Sequence, residues 1–306
     1  MAENQGPVLI GLHITKCAGT TLAEHVFKKL HPTRWYFCSS PYNMAVDARQ
    51  DFAERVYIQK INFVFGHYVH ESLNSIFAGR DIFWFTGVRE PIKRAISEYY
   101  QICKVRAFSG KPPLSAEEFL AVRSNTMCRE FLRAFPTIDS EAGGNLLERA
   151  SQAAEMFDLI YGSENFEETI TPLLKRIGVG LEGLASANTR SARDEDAAYL
   201  QEQADILATA ARPKFAEDIA LYEMLKPHIG LWQPFAKDEA AMARRAGWTD
   251  RMATTPEAGL AHFNAHLAHF YVRDFVNVGR KAELEALLER RREWIDALTS
   301  ALDGVR

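Results

Sequence analysis

The chain has 306 residues, 47% hydrophobic and 25% charged, enough for one large domain, or a domain with an appendage, and too apolar for a disordered protein. Its 36 basic against 40 acidic residues argue against a general nucleic-acid binder, which carries a basic excess. The opening MAENQGPVLIGLH lacks a signal peptide's basic and long apolar regions, no apolar run approaches the roughly 20 residues that cross a bilayer, and Cys17, Cys38, Cys103 and Cys128 form no CxxC pair; a reducing cytoplasm is the expected compartment.

Residues 7–13, PVLIGLH, read as a short buried strand. The helical recurrence of Leu22, Val26 and Leu30, with Phe27 beside them, predicts a helix from Thr20 to Leu30. A strand, a glycine-containing turn and a helix make the first half of a βαβ unit. Two further apolar runs, INFVF at 61–65 and IFWFTGV at 82–88, suit strands buried on both faces of a parallel sheet. Pro91 then fits the first turn of a helix reaching about Lys104. Several short helices are expected over 115–152, a strand and turn in FDLIYGSENF at 157–166, and a helix over 166–177. After a polar loop at 184–196 come helices at about 194–211 and 213–226, ending near Pro227 and Gly230. The plan is α/β: a P-loop-like, doubly wound parallel sheet flanked by helices, with ligands at the C-terminal strand ends.

Beyond Gly230 no strand signal remains, so the expected division is an α/β domain over 1–230 and a helical C-terminal extension over 231–306. The extension ends in KAELEALLERRREWIDALTSAL, where Leu284, Leu287, Leu288, Trp294, Ile295 and Leu298 share one face. Such a helix packs on the core or on a partner subunit, which allows a homo-oligomer.

The stretch HITKCAGTTL, residues 13–22, falls where the first strand gives way to the first helix. Amides at a helix start favour anions, and Gly19 lets the backbone approach closely. Thr20 and Thr21 can donate hydroxyls to phosphate oxygens, and Lys16 supplies a charge. The GxxxxGK[ST] arrangement is absent, because the lysine precedes the glycine, so no hydroxyl follows a loop lysine to hold magnesium. Cys17 is either a reactive thiol or a small residue that fits. A second element, FTGVREPIKRAISEYY at 85–100, sends Arg89 off a strand end, with Ser97 about two helical turns on. By themselves these are equally a surface arginine and a helix serine.

Together the two stretches resemble the signatures HxPKxGGTTL and RDPxxRxxSxY of the sulfotransferase family that uses 3′-phosphoadenosine 5′-phosphosulfate. The resemblance is clear over residues 7–104 and extends to about 226. Thr15, Cys17 and Ala18 depart from the first signature. The resemblance implies that Lys16, Cys17, Ala18, Gly19, Thr20 and Thr21 cradle the 5′-phosphosulfate, with Lys16 at its bridging region. It implies that Arg89 and Ser97 hold the 3′-phosphate, and that Arg190, in the loop ANTRSA, closes over the nucleotide.

Sulfuryl transfer needs a base for the acceptor proton, and histidine titrates in the right range. In FVFGHYVHESL, 63–73, His67 follows a strand end, and the segment resembles the Gly-His step of the glycan 2-O-sulfotransferase branch, whose histidine is the base. His67 is therefore the expected base, with Glu71 or Glu90 as alternatives or as groups that orient it. His70 is a candidate acceptor contact, and His13 is expected to pack under the cradle. Asn125, in a segment resembling a helix that lines the acceptor cleft, is a second acceptor contact. Lys93, Arg94, Lys104, Arg106 and Lys111 form a basic zone able to attract an anionic acceptor. His262, His266 and His269 share a helix spacing and are either metal ligands or packing residues; no metal is expected. The leading function is a sulfotransferase acting on a glycan or small-metabolite hydroxyl. The alternatives are an ATP-dependent small-molecule kinase and a non-enzymatic nucleotide-binding module.

Overall fold

The computed structural model describes residues 6–38, 60–141, 143–184, 197–251, 255–277 and 289. Among these, five parallel strands, β1 (Val8–Leu12), β2 (Trp35–Cys38), β3 (Phe63–Gly66), β4 (Ile82–Val88) and β5 (Leu159–Gly162), form one sheet in the order β2-β3-β1-β4-β5. The order places β1 centrally, so the segments leaving β3, β1 and β4 emerge side by side. Leu12 pairs with Gly66 on one side and Thr86 on the other.

The apolar runs are buried on both faces, as a covered parallel sheet requires. Ile10, Leu12, Val64, Trp84 and Ile160 join the larger core, and Leu9, Phe63, Phe65, Phe85 and Leu159 join the second. The second face is covered by α1 (Gly19–Lys29), through Leu22 and Val26, and by a helix at Phe166–Arg176, through Ile170 and Leu173. Here Phe65 and Phe85 stack at 5.7 Å, over Gly11, where an added Cβ would sit 2.1 Å from the Phe85 ring.

After the short α2 (Leu73–Ile76), the long α3 (Pro91–Phe108) follows β4. Glu90 caps α3, accepting from the amides of Ile92 at 3.1 Å and Lys93 at 2.7 Å. Four helices then precede β5: α4 (Ala116–Val122), α5 (Thr126–Ala134), α6 (Pro136–Glu141) and α7 (Leu146–Ala154). The helix after β5 is α8, and α9 (Ala197–Ala210) and α10 (Ala216–Leu225) complete this part of the chain. α4 and α9 pack on α3 through Tyr99, Phe119 and Leu207.

Beyond Gly230 the described chain stays on the same core. Trp232 forms an antiparallel bridge with Leu159, and the Gln233 amide donates to the Asp158 carbonyl at 2.6 Å. α11 (Glu239–Arg251) and α12 (Pro256–Asn277) send Trp248, Phe263 and Leu267 into the larger core. α12 approaches α2 so closely that a Cβ on Gly259 would lie 2.6 Å from Ser75. The amphipathic segment at 281–302 lies outside the described residues except for residue 289. None of the helices among the described residues is long and apolar enough to cross a membrane.

Candidate functional site

β1 runs into a turn in which Lys16 (φ 68°) and Ala18 (φ 60°) both take the left-handed conformation. Left-handed residues in a tight turn can direct neighbouring amides to one side, the geometry of anion-binding concavities; here the Cys17 amide is taken by the Ile14 carbonyl at 3.3 Å. α1 starts from this turn with no side-chain cap and no acidic residue in its first turn, so its positive end is not met by a side chain of its own. Gly19 and Thr21 are buried and Thr20 is exposed. A Cβ on Gly19 would fall 2.0 Å from the His13 ring; the glycine is there to admit that ring.

Cations gather around the turn. Burial, followed by repulsion from Arg89, lowers the Lys16 pKa; Lys104 adds to the effect, and Glu98 opposes it. Arg89, the first residue after β4, donates from Nη1 to the Lys16 carbonyl at 3.4 Å, which joins the two signature stretches across adjacent strand ends. Ser97 is half-buried on α3. It lies seven residues before Lys104, hence on the same helix face, and Lys104 is one of the charges that bear on Lys16. The Cys17 thiol is buried and its pKa is pushed up to about 12, chiefly by that burial, which makes it a packing residue and not a reactive thiol.

His67 leaves β3 beside the turn. Its Nδ1 lies 2.6 Å from the His13 carbonyl. A carbonyl only accepts, so Nδ1 donates, and in the neutral ring Nε2 carries the lone pair. The ring stacks on that of His13, centroids 4.2 Å apart and planes 18° apart. Gly66 makes the exit possible: at φ 152° a Cβ would lie 1.9 Å from the Cys38 carbonyl oxygen. Arg133 of α5 donates to the His67 carbonyl at 2.5 Å, pairs with Glu130 and covers the Tyr68 ring.

The model of the sulfotransferase family matches residues 4–223. The chain belongs to the sulfotransferase family. The match spans the sheet, the turn after β1 and the start of α3, and ends within α10. No curated protein matches the sequence.

The other candidate residues of this sulfotransferase are placed unevenly. Glu71 is buried, and its carboxylate accepts from the Thr137 amide at 2.9 Å and from Trp248 Nε1 at 3.0 Å, so it ties α6 and α11 to the loop after β3. Glu90 caps α3. Asn125 adopts φ 41° at the start of α5, and both ends of its buried amide reach α10, at Glu217 and at the Asp218 amide; it joins two helices. His70 accepts at Nδ1 from the Ser72 amide at 3.1 Å and lies 4.3 Å from the His266 ring of α12. Burial first, then His262, brings its pKa down to about 4. Among the described residues no group of three potential ligands is arranged to hold a metal. Arg94 does not belong to the exposed basic zone: it is fully buried and pairs with Glu98 at 2.9 Å. Arg190 lies outside the described residues.

Arg133 escaped the sequence reading. Its contact with His67 spans 66 positions, and no local pattern announces it.

Proposed function

We propose that this transferase moves a sulfuryl group from 3′-phosphoadenosine 5′-phosphosulfate to the hydroxyl of a carbohydrate or small metabolite, with His67 as base and without a metal. The observation that carries the reading is the meeting of three strand ends: the Lys16 turn after β1, Arg89 bonded to it from β4, and a His67 whose Nδ1 proton is held by the His13 carbonyl.

The residues fit the donor. The left-handed turn at Lys16 and Ala18 and the uncapped start of α1 suit the 5′-phosphosulfate, Lys16 its bridging oxygen, and Arg89 and Ser97 the 3′-phosphate. Bound there, the donor supplies an electrophilic sulfur and a phosphate leaving group. His67 Nε2 takes the acceptor's proton as the hydroxyl attacks. Lys16 and the α1 amides meet the charge that grows on the leaving phosphate, a preorganised stabilisation of the kind that dominates many active sites. The desolvated, cation-flanked Lys16 is poised for an anion, because a bound anion offsets both the burial and the Arg89 repulsion that lower its pKa. The four free, buried cysteines suit a reducing compartment.

The test is transfer of labelled sulfuryl from the donor to a panel of sugar and small-metabolite hydroxyls, with chelator present. The reading expects transfer that survives chelation and falls by about 10²–10³ in Lys16→Ala. Label that passes to no acceptor, with ATP-dependent phosphorylation in its place, would replace the reading with a kinase.

A further inference from the structure

The His13 side chain touches both halves of the site. One edge of its ring, Cδ2 and Nε2, fills the space that Gly19 vacates. One face stacks on His67, and the ring also stacks with Phe65, centroids 5.1 Å apart. It is 7% exposed, and its Nδ1 is buried without a hydrogen-bond partner. A buried nitrogen in that state is cheaper as a bare lone pair than as an orphaned cation, so the ring stays neutral. Burial, with His67 and Lys16 nearby, holds its pKa well below the usual histidine value.

We propose that His13 is the positioning residue of the site: its neutral ring, wedged between Gly19 and His67, sets the spacing between the phosphosulfate cradle and the base and holds His67 in its Nδ1–H tautomer. In-line transfer depends on that spacing, because about 1 Å of misplacement costs on the order of a hundredfold in rate. The backbone carbonyl of His13 supplies the hydrogen bond, and the ring supplies the surface that keeps His67 aligned with it. Aromatic stacking biases one ring orientation by up to about tenfold. A charged platform would defeat the arrangement by lowering the basicity of the ring stacked on it. The role in catalysis rests on the sulfotransferase reading given above, whereas the tautomer control does not.

Imidazole nitrogen-15 spectra of the full chain, with the His67 signals identified by their loss in His67→Gln, test this without any acceptor. His13→Leu fills the volume without stacking, and His13→Phe restores the stack without a titratable group. The expected result is one Nδ1–H tautomer at His67 in the wild type and in His13→Phe, and a tautomer mixture with a displaced titration in His13→Leu. Affinity for 3′-phosphoadenosine 5′-phosphate should stay within about threefold in His13→Phe, as for a residue that positions through packing. A wild-type His67 spectrum in His13→Leu, or a mixture in His13→Phe as severe as in His13→Leu, overturns the proposal. Failure of the wild type to bind the bisphosphate would instead strike the sulfotransferase reading and leave the tautomer result standing.

Discussion

Adding one methyl group at Gly19 should disable the site from within. The new Cβ would lie 2.0 Å from His13 Cδ2 and 2.3 Å from Nε2, well inside a van der Waals contact of roughly 3.5 Å. The helix backbone that begins at Gly19 cannot retreat without breaking its first turn, so the ring must move by about 1 Å or more. His13 is confined by Phe65 and His67, so that displacement passes to the His67 ring. Overpacking of this kind costs about 1–3 kcal/mol, which for a chain of 306 residues lowers Tm by about 1.5–5 °C. Misalignment of the base lowers kcat by about a hundredfold. The assay is a thermal melt of Gly19→Ala, followed by bisphosphate calorimetry and sulfuryl transfer at a temperature where the variant is folded. A variant with wild-type Tm and turnover would refute the claim that His13 fills the space beside Gly19.

The neighbouring position should behave in the opposite way. Ala18 sits at φ 60°, where a Cβ costs about 1–2 kcal/mol; glycine's larger unfolded-state entropy offsets about half of this, so Ala18→Gly should gain roughly 0.5–1 kcal/mol in denaturant melts. His67→Ala should lower turnover by about 10²–10⁴ with bisphosphate affinity little changed; unchanged turnover removes it as base. Asp158 is fully buried, accepts from the Trp84 amide at 2.8 Å and pairs with Arg245 at 2.7 Å, so Asp158→Ala should cost roughly 3–5 kcal/mol, read by urea unfolding. His70 has its pKa lowered from 6.5 to about 4 in the fold. The unfolded chain therefore takes up a proton first as pH falls, and stability present above pH 6.5 is lost progressively down to about pH 4, by up to roughly 3 kcal/mol. In His70→Asn this part of the acid slope should vanish; an unaltered slope would show that His70 is not held neutral.

Much of the fold could be read from the chain because the sheet is buried on both faces. The continuous runs at β1, β3 and β4 have no other reading at their length, and Pro91 marks the start of α3. The end of α3 was placed too early, since Val105 and Phe108 are exposed and break the apolar periodicity without ending the helix. β2 was missed: it has four residues, its burial alternates, and a helical turn at Pro32–Arg34 leads into it. The Trp232 bridge is a single residue at a sheet edge and has no period to detect. At the site, the meeting of Lys16, Gly19 and Arg89 could be anticipated because each sits in a turn at a strand end, while the roles assigned to them came from the family resemblance and remain proposals. Asn125 looked like a cleft residue, yet its left-handed backbone and its partners on α10 depend on residues more than 90 positions away. Arg94 looked solvated because charged residues usually are; a paired Glu98 one turn on permits its burial.

The most direct test is calorimetric titration of the full chain with 3′-phosphoadenosine 5′-phosphate, with chelator present, against ATP with magnesium. The account predicts that the bisphosphate binds without metal and, at a hundredfold excess over Kd, stabilises the fold by about 2.7 kcal/mol, and that Arg89→Ala abolishes this. Binding of ATP with magnesium alone, or bisphosphate binding indifferent to Arg89, would contradict it.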